Sequence, residues 1–255
     1  MKQIIQKTKV SIKNKLNKAW NFIRIHRLKI ATILLIPFIF AISFRQILDK
    51  TVKKRNRPIE YIAVHWTANT NVGADASANA YYLRKKRAAG THFCIDDQEV
   101  ILCTEEENVA YAVGDRYWRG FKPKPWLVNP NGSRKVLNNN SMSYEMCLGG
   151  DRNDSLIIDK TAQLIGWQLV NKGLDISRVI RHHDVTGKPC PRFTYATTSE
   201  WDQVREDSAF VEFKKIVDKY YQIHKFRKEL WRATKVWQDS LPPMIGQTTL
   251  KFEAR

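Results

Sequence analysis

His182, His183, Asp184, Lys188 and Cys190 crowd into one short stretch, RHHDVTGKPCPRF at residues 181–193, where Gly187, Pro189 and Pro191 make a stiff turn. Imidazole and thiolate are natural zinc ligands, so Cys190 with one of the two histidines reads as part of a metal site. Only one histidine of the pair is expected to reach a given ion, because neighbours on an extended chain point to opposite faces. A third ligand must come from elsewhere, and His65 is the best candidate. Two His and one Cys leave the fourth tetrahedral position open to water, which separates catalytic from structural zinc. Taken alone, His65 also reads as a histidine packed at a sheet edge. The four cysteines at 94, 103, 147 and 190 are equally a set that could form two disulfides in an exported domain.

These side chains need a scaffold. IEYIAVHWT, residues 59–67, alternates as a strand does, with Ile59, Tyr61, Ala63 and His65 on one face and Ile62, Val64 and Trp66 on the other. DASANAYYLRKKRAAG reads as a helix capped by Asp75 and stopped by Gly90. THFCIDDQEVILC reads as a hairpin turning at Asp96 and Asp97, and SMSYEMCLGG as a further strand. The Pro-, Gly- and Asn-rich residues 120–140 predict a long loop of the kind that often carries function. DKTAQLIGWQLVNKG is a helix ending near Gly173, ISRVI a short strand, and residues 201–238 are helical up to Pro242 and Pro243. Strands mixed with helices in this order argue an α/β domain over residues 59–225, with a helical tail at 226–255.

Charge separates the ends of the chain from its bulk. The net charge is +18, yet fifteen Lys and Arg against Asp49 alone precede Ile59, leaving 28 basic against 24 acidic residues beyond. A nearly balanced domain argues against nucleic-acid binding. The basic N-terminal segment, residues 1–29, flanks an uncharged run at 30–44. With residues 45–48 it predicts a transmembrane anchor, or an uncleaved signal, at 30–48, its flanking cations snorkelling to the interfaces. Nine cations before the span against six soon after predict a cytoplasmic N-terminus and a single-pass chain whose main domain lies outside the cytoplasm. Residues 49–58 then read as a charged linker.

VHWTAN, THFCIDDQEV, NSMSYEMCLGG and HHDVTGKPCP, in that order, resemble the zinc-dependent N-acetylmuramoyl-L-alanine amidases of the phage-lysozyme and peptidoglycan-recognition-protein superfamily, over roughly residues 59–200. The resemblance implies a mixed central β-sheet flanked by helices, with Zn2+ held by His65, His182 and Cys190 in an open groove for the peptide stem and sugar of peptidoglycan. It also carries over a catalytic glutamate to Glu145 and the lysine of the last motif to Lys188. Glu145 would exchange the proton between water and leaving amine, and Lys188 would stabilise the oxyanion. Outside such motifs a strand Glu usually faces solvent and a turn Lys is usually a surface charge.

Thr91 stands where some relatives carry Tyr, and Ala112 where many carry His. Thr91 and His92 are candidate substrate-binding residues, with a packed strand histidine as the other reading of His92. Asp184 either orients a ligand imidazole or caps the turn. The implied protein is a membrane-tethered, monomeric amidase cutting between N-acetylmuramic acid and L-alanine. A peptidoglycan-binding module of the same fold without cleavage is the competing reading, against which Cys190 counts.

Overall fold

A computed structural model describes residues 43–48, 52–85, 89–114, 116–118, 120–194 and 200–239. Six strands form one mixed sheet in the order β1-β4-β3-β5-β2-β6, with β1 Ser43–Gln46, β2 Tyr61–Trp66, β3 Phe93–Ile95, β4 Glu99–Leu102, β5 Ser141–Met146 and β6 Val179–Arg181. Every neighbouring pair is parallel except the β3–β4 hairpin. That hairpin turns where expected. Asp96 Oδ1 accepts from the backbone N–H groups of Gln98 and Glu99 at 2.8 and 2.7 Å, so the side chain takes over the turn's donors.

Strand alternation sorts the core. Ile62, Val64, Met142, Tyr144 and Met146 face α2, Asp154–Lys172, and α4, Gln203–Asp239, and pack on Ile157, Ile165, Leu169, Phe213 and Val217. The opposite face is covered by α1, Ala76–Lys85, through Ala76 and Ala80, and by the loop residues Val113, Leu127 and Val136. Ala41–His224 make one compact unit, and the part of α4 from Lys225 onward lies outside it. The mixed sheet with flanking helices is the expected architecture.

Helix α2 begins five residues before the expected start. Asn153 caps it by accepting from Leu156 N, and Gly173 ends it in the left-handed region. Its Gly166 is where α4 comes closest. A Cβ there would lie 2.8 Å from both Tyr220 Cβ and Tyr221 N, the latter a backbone atom that yields only if the helix moves. Alanine gains about 1 kcal/mol in helix propensity, but overpacking costs about 1–3 kcal/mol. Gly166→Ala is expected to lower stability by up to about 2 kcal/mol, read as an earlier urea midpoint at unchanged slope.

The N-terminal expectation changes. Ser43–Gln46, which the anticipated span would have used for its C-terminal end, pair in parallel with Glu99–Leu102, and Ile47 is buried beside α1. Sheet pairing satisfies the backbone there, so the domain starts well before Ile59 and this part of the membrane helix is not present. Among the described residues no helix is long and apolar enough to cross a membrane. Residues 30–42 lie outside the described residues, as do Pro242 and Pro243.

The charged segment ahead of β2 is also tied down. Arg55 donates to the carbonyls of Glu106, Asn139, Asn108 and Ser141 at 2.6 to 3.2 Å, and Asn108 bridges to Lys54. One half-buried guanidinium thus pins the segment both to the turn after β4 and to the start of β5.

Candidate metal centre

Register brings the ligands together. Val64 of β2 lies opposite Arg181, the last residue of β6, so the residues that follow them, His65 and His182, stand side by side where the two parallel strands end. Their rings are 4.7 Å apart. On the other side of β2, His65 is paired with Glu145 of β5, and equal register on one sheet puts both side chains on the same face.

His182 is also the first residue of α3, His182–Thr186, rather than part of an extended run as expected. Gly187 ends this helix with φ +80°, and a Cβ on it would collide with Phe121, so the chain reverses tightly against that ring. His183 N donates to Cys190 O at 2.8 Å, closing the turn and returning the thiol to the strand ends. Cys190 Sγ lies 3.8 Å from His65 Nδ1. The peptide Cys190-Pro191 is cis.

One donor atom each from His65, His182 and Cys190 lies within 4.8 Å of the others, and all three residues are buried. Two imidazoles and a thiol in that compass can hold a metal ion. Zinc at 2.0–2.3 Å from its donors wants them roughly 3.4 Å apart, so small side-chain rotations complete the set. The donor set and its spacing fit zinc.

Glu145 and Lys188 join the ligands in the wall of one open cleft of about 550 Å³, with Trp66, Asn69, Tyr82 and Tyr111. Burial pushes the Glu145 carboxyl up to about 7, opposed by the nearby Lys188 ammonium. Its Oε2 is buried without a hydrogen-bond partner. Ala112 lines the same cleft, so the position where the resemblance anticipates a histidine contributes only a methyl group.

Two expectations are revised. Thr91 is fully buried, its Oγ1 3.0 Å from Ser143 O and 3.2 Å from Phe93 O, and it is not in the cleft wall. His92 is likewise fully buried. Its Nδ1 accepts from Ser143 N at 3.0 Å, leaving the proton on Nε2, 3.3 Å from Asn108 O and 3.0 Å from Arg55 Nη2. Neither residue lines the cleft; both brace the segment entering β3 against Ser143 of β5. Asp184 caps α3, accepting from Arg181 N at 2.9 Å and from the Arg181 guanidinium at 2.8 Å. His183, the expected bystander, stacks on Trp201 with centroids 4.8 Å apart.

The histidine just before β3 sets an acid limit on the fold. Burial, reinforced by Arg55, holds His92 down at about 3 against an ordinary 6.5. Below pH 6.5 the unfolded chain takes up a proton that the native state refuses, so His92 contributes a loss of stability on acidification from 6.5 to about 3. The expected size is up to about 1.4 kcal/mol per pH unit, read from urea midpoints across that window. His92→Gln should flatten the slope there.

The four cysteines are buried thiols. Cys94 is pushed well up by its contact with Cys103, then Cys147, and by burial. Sequence reasoning missed Arg55, since nothing marked it among neighbouring cations.

Fold and site together define an α/β domain with a buried His-His-Cys group at the floor of an open cleft. Residues 55–193, more than half of the chain, match the family model described as N-acetylmuramoyl-L-alanine amidase, and the protein belongs to that family. Over 146 residues it is 30% identical to the N-acetylmuramoyl-L-alanine amidase XlyA of Bacillus subtilis strain 168, covering 57% of this chain and 42% of that protein. The amidase XlyB of the same strain is 34% identical over 155 residues, covering 57% and 41%. The chain thus spans about two fifths of the length of these curated relatives. Among solved structures, the catalytic domain of XlyA superposes with TM-score 0.50 at 26% identity, covering 69% of this chain and 99% of that one. The Staphylococcus aureus hydrolase AmiA, in complex with its ligand, shares the fold with TM-score 0.52 at 16% identity, covering 72% and 86%.

Proposed function

We propose that this protein is a zinc-dependent N-acetylmuramoyl-L-alanine amidase, hydrolysing the amide between N-acetylmuramic acid and L-alanine of peptidoglycan. The observation that carries the reading is the convergence of His65, His182 and Cys190 with an unpartnered, buried Glu145 oxygen in one open cleft. His65, His182 and Cys190 hold the ion. Zinc, when bound, supplies Lewis acidity and lowers the pKa of water toward roughly 7. Glu145 accepts the proton of the attacking water and returns it to the departing amine of L-alanine. Its burial favours this, because a desolvated carboxylate binds a proton more readily than one in water. Lys188 places a positive charge beside the carbonyl oxygen as negative charge develops there.

Incubating the full chain with purified peptidoglycan, with and without a zinc chelator, tests this. Newly freed L-alanine amino termini should appear only without the chelator. Retention on the wall with no release from any of several wall chemotypes would favour the non-cleaving binding module instead.

On the same reading, we propose a monomer whose domain works on the wall side of the membrane, tethered through its basic, apolar N-terminus. Residues 30–42 span only about 20 Å as a helix, so the flanking cations must carry part of the attachment. Recovery of the full chain in the soluble fraction after cell lysis would oppose the tether.

A further inference from the structure

A second cavity, of about 440 Å³, opens beside the cleft and shares Tyr111 with it. Lys53, Lys54 and Arg134 line it, together with the carboxamides of Asn56 and Asn139. Among the described residues no carboxylate lines this cavity, and none of the three cations forms an ion pair with a described carboxylate. Three uncompensated cations around one concavity attract an anion, the more so because protein walls focus the field.

The arrangement is built rather than floppy. Val109 N donates to Lys53 O at 2.8 Å, and Lys54 forms a bridge with Asn108, so both lysines leave a pinned backbone. Arg134 is bridged to Val128, and its guanidinium carbon sits 4.1 Å over the Tyr117 ring. The ridge between the two cavities is fixed as well. Asn138 Oδ1 accepts from Ala112 N and Val113 N at 2.9 and 2.7 Å, and Tyr111 O accepts from Gly90 N at 3.1 Å. Lys53 and Lys54 precede residue 55, where the family match begins, so two of the three charges lie outside the matched region.

We infer that this cavity is a subsite for an anionic group of the wall polymer, a carboxylate or a phosphate, borne by the same polymer whose amide lies in the cleft. The inference rests on the amidase reading. Tyr111 lines both the subsite and the cleft, so one extended polymer segment can reach from one to the other. Its effect falls on substrate binding, since the cations stand apart from the ligand group.

The test compares the full chain with its Lys53→Gln, Lys54→Gln, Arg134→Gln triple variant, both in a Glu145→Gln background that prevents cleavage, by sedimentation with insoluble wall. At about 0.05 M salt the triple variant should bind about tenfold more weakly, and the gap should close at about 0.5 M. In the active background KM should rise about tenfold with kcat unchanged. A charge-keeping variant, Lys53→Arg, Lys54→Arg, Arg134→Lys, should restore binding, which a fold defect would not. Three walls separate the sources: untreated, stripped of phosphate polymers by hydrofluoric acid, and stripped with its carboxylates amidated. A gap lost on stripping assigns the phosphate; one lost only on amidation assigns the stem carboxylate. Equal binding on untreated wall, or a gap that persists on the wall lacking both anions, overturns the subsite. A salt-sensitive gap without any L-alanine release upholds the subsite and overturns the amidase reading, and release without a gap does the reverse.

Discussion

Replacing Cys190 by serine is expected to remove both the bound zinc and the release of L-alanine. The thiol is the softest of the three donors and the one whose loss leaves only two imidazoles. Disturbing a residue that merely orients a zinc ligand costs about 10–100-fold in affinity or activity, so losing the ligand itself should exceed a hundredfold. The backbone of the turn has other supports, namely His183 N on Cys190 O, the left-handed Gly187 and the packing of Phe121. The fold should therefore survive the substitution. Metal content after dialysis and amino-terminus release on peptidoglycan check the two effects separately. A serine variant that keeps stoichiometric zinc and full activity would remove Cys190 from the ligand set.

The ligand set was legible because each member sits beside a feature that sequence displays. His65 ends an alternating strand, and His182 follows a short apolar strand directly. Parallel pairing of β2 and β6 was not legible, yet it is what turns two separated histidines into neighbours. The resemblance supplied that juxtaposition in advance, and the register gives its physical reason. Glu145 follows the same logic one strand further on, paired with His65 across β2 and β5.

What was misread depended on partners far away in sequence. Ser43–Gln46 looks like the end of an apolar span because its partner in the sheet, Glu99–Leu102, lies more than fifty residues downstream. Arg55 looks like one cation in a tether, and only the folded loop carbonyls reveal it as a tie. Thr91 and His92 lead directly into β3, a strand with strands on both sides. Their polar atoms satisfy backbone groups of Ser143, Phe93 and Asn108 instead of meeting solvent. The turn residues erred least. Asp75 caps α1 through Ala78 N at 2.7 Å, and Asp96 shapes the hairpin, because capping and turn chemistry act within a few residues.

The sharpest separation of chemistry from binding is expected at Glu145. Glu145→Gln keeps the shape and one oxygen of the side chain but removes its ability to take a proton, so kcat should fall about 10²–10⁴-fold, the range of general acid-base contributions. Zinc content and wall binding should stay near those of the parent, because neither the ligand group nor the cationic cavity contains this side chain. Stability should not drop either. The carboxyl is buried, and its ionised form is disfavoured by desolvation, so a neutral isostere removes a cost rather than a support. The variant should therefore fold, load metal and sediment with peptidoglycan while releasing almost no L-alanine. Full release by such a protein would move proton transfer to another group in the cleft. Ala112 cannot be that group, since the methyl it presents there carries no exchangeable proton.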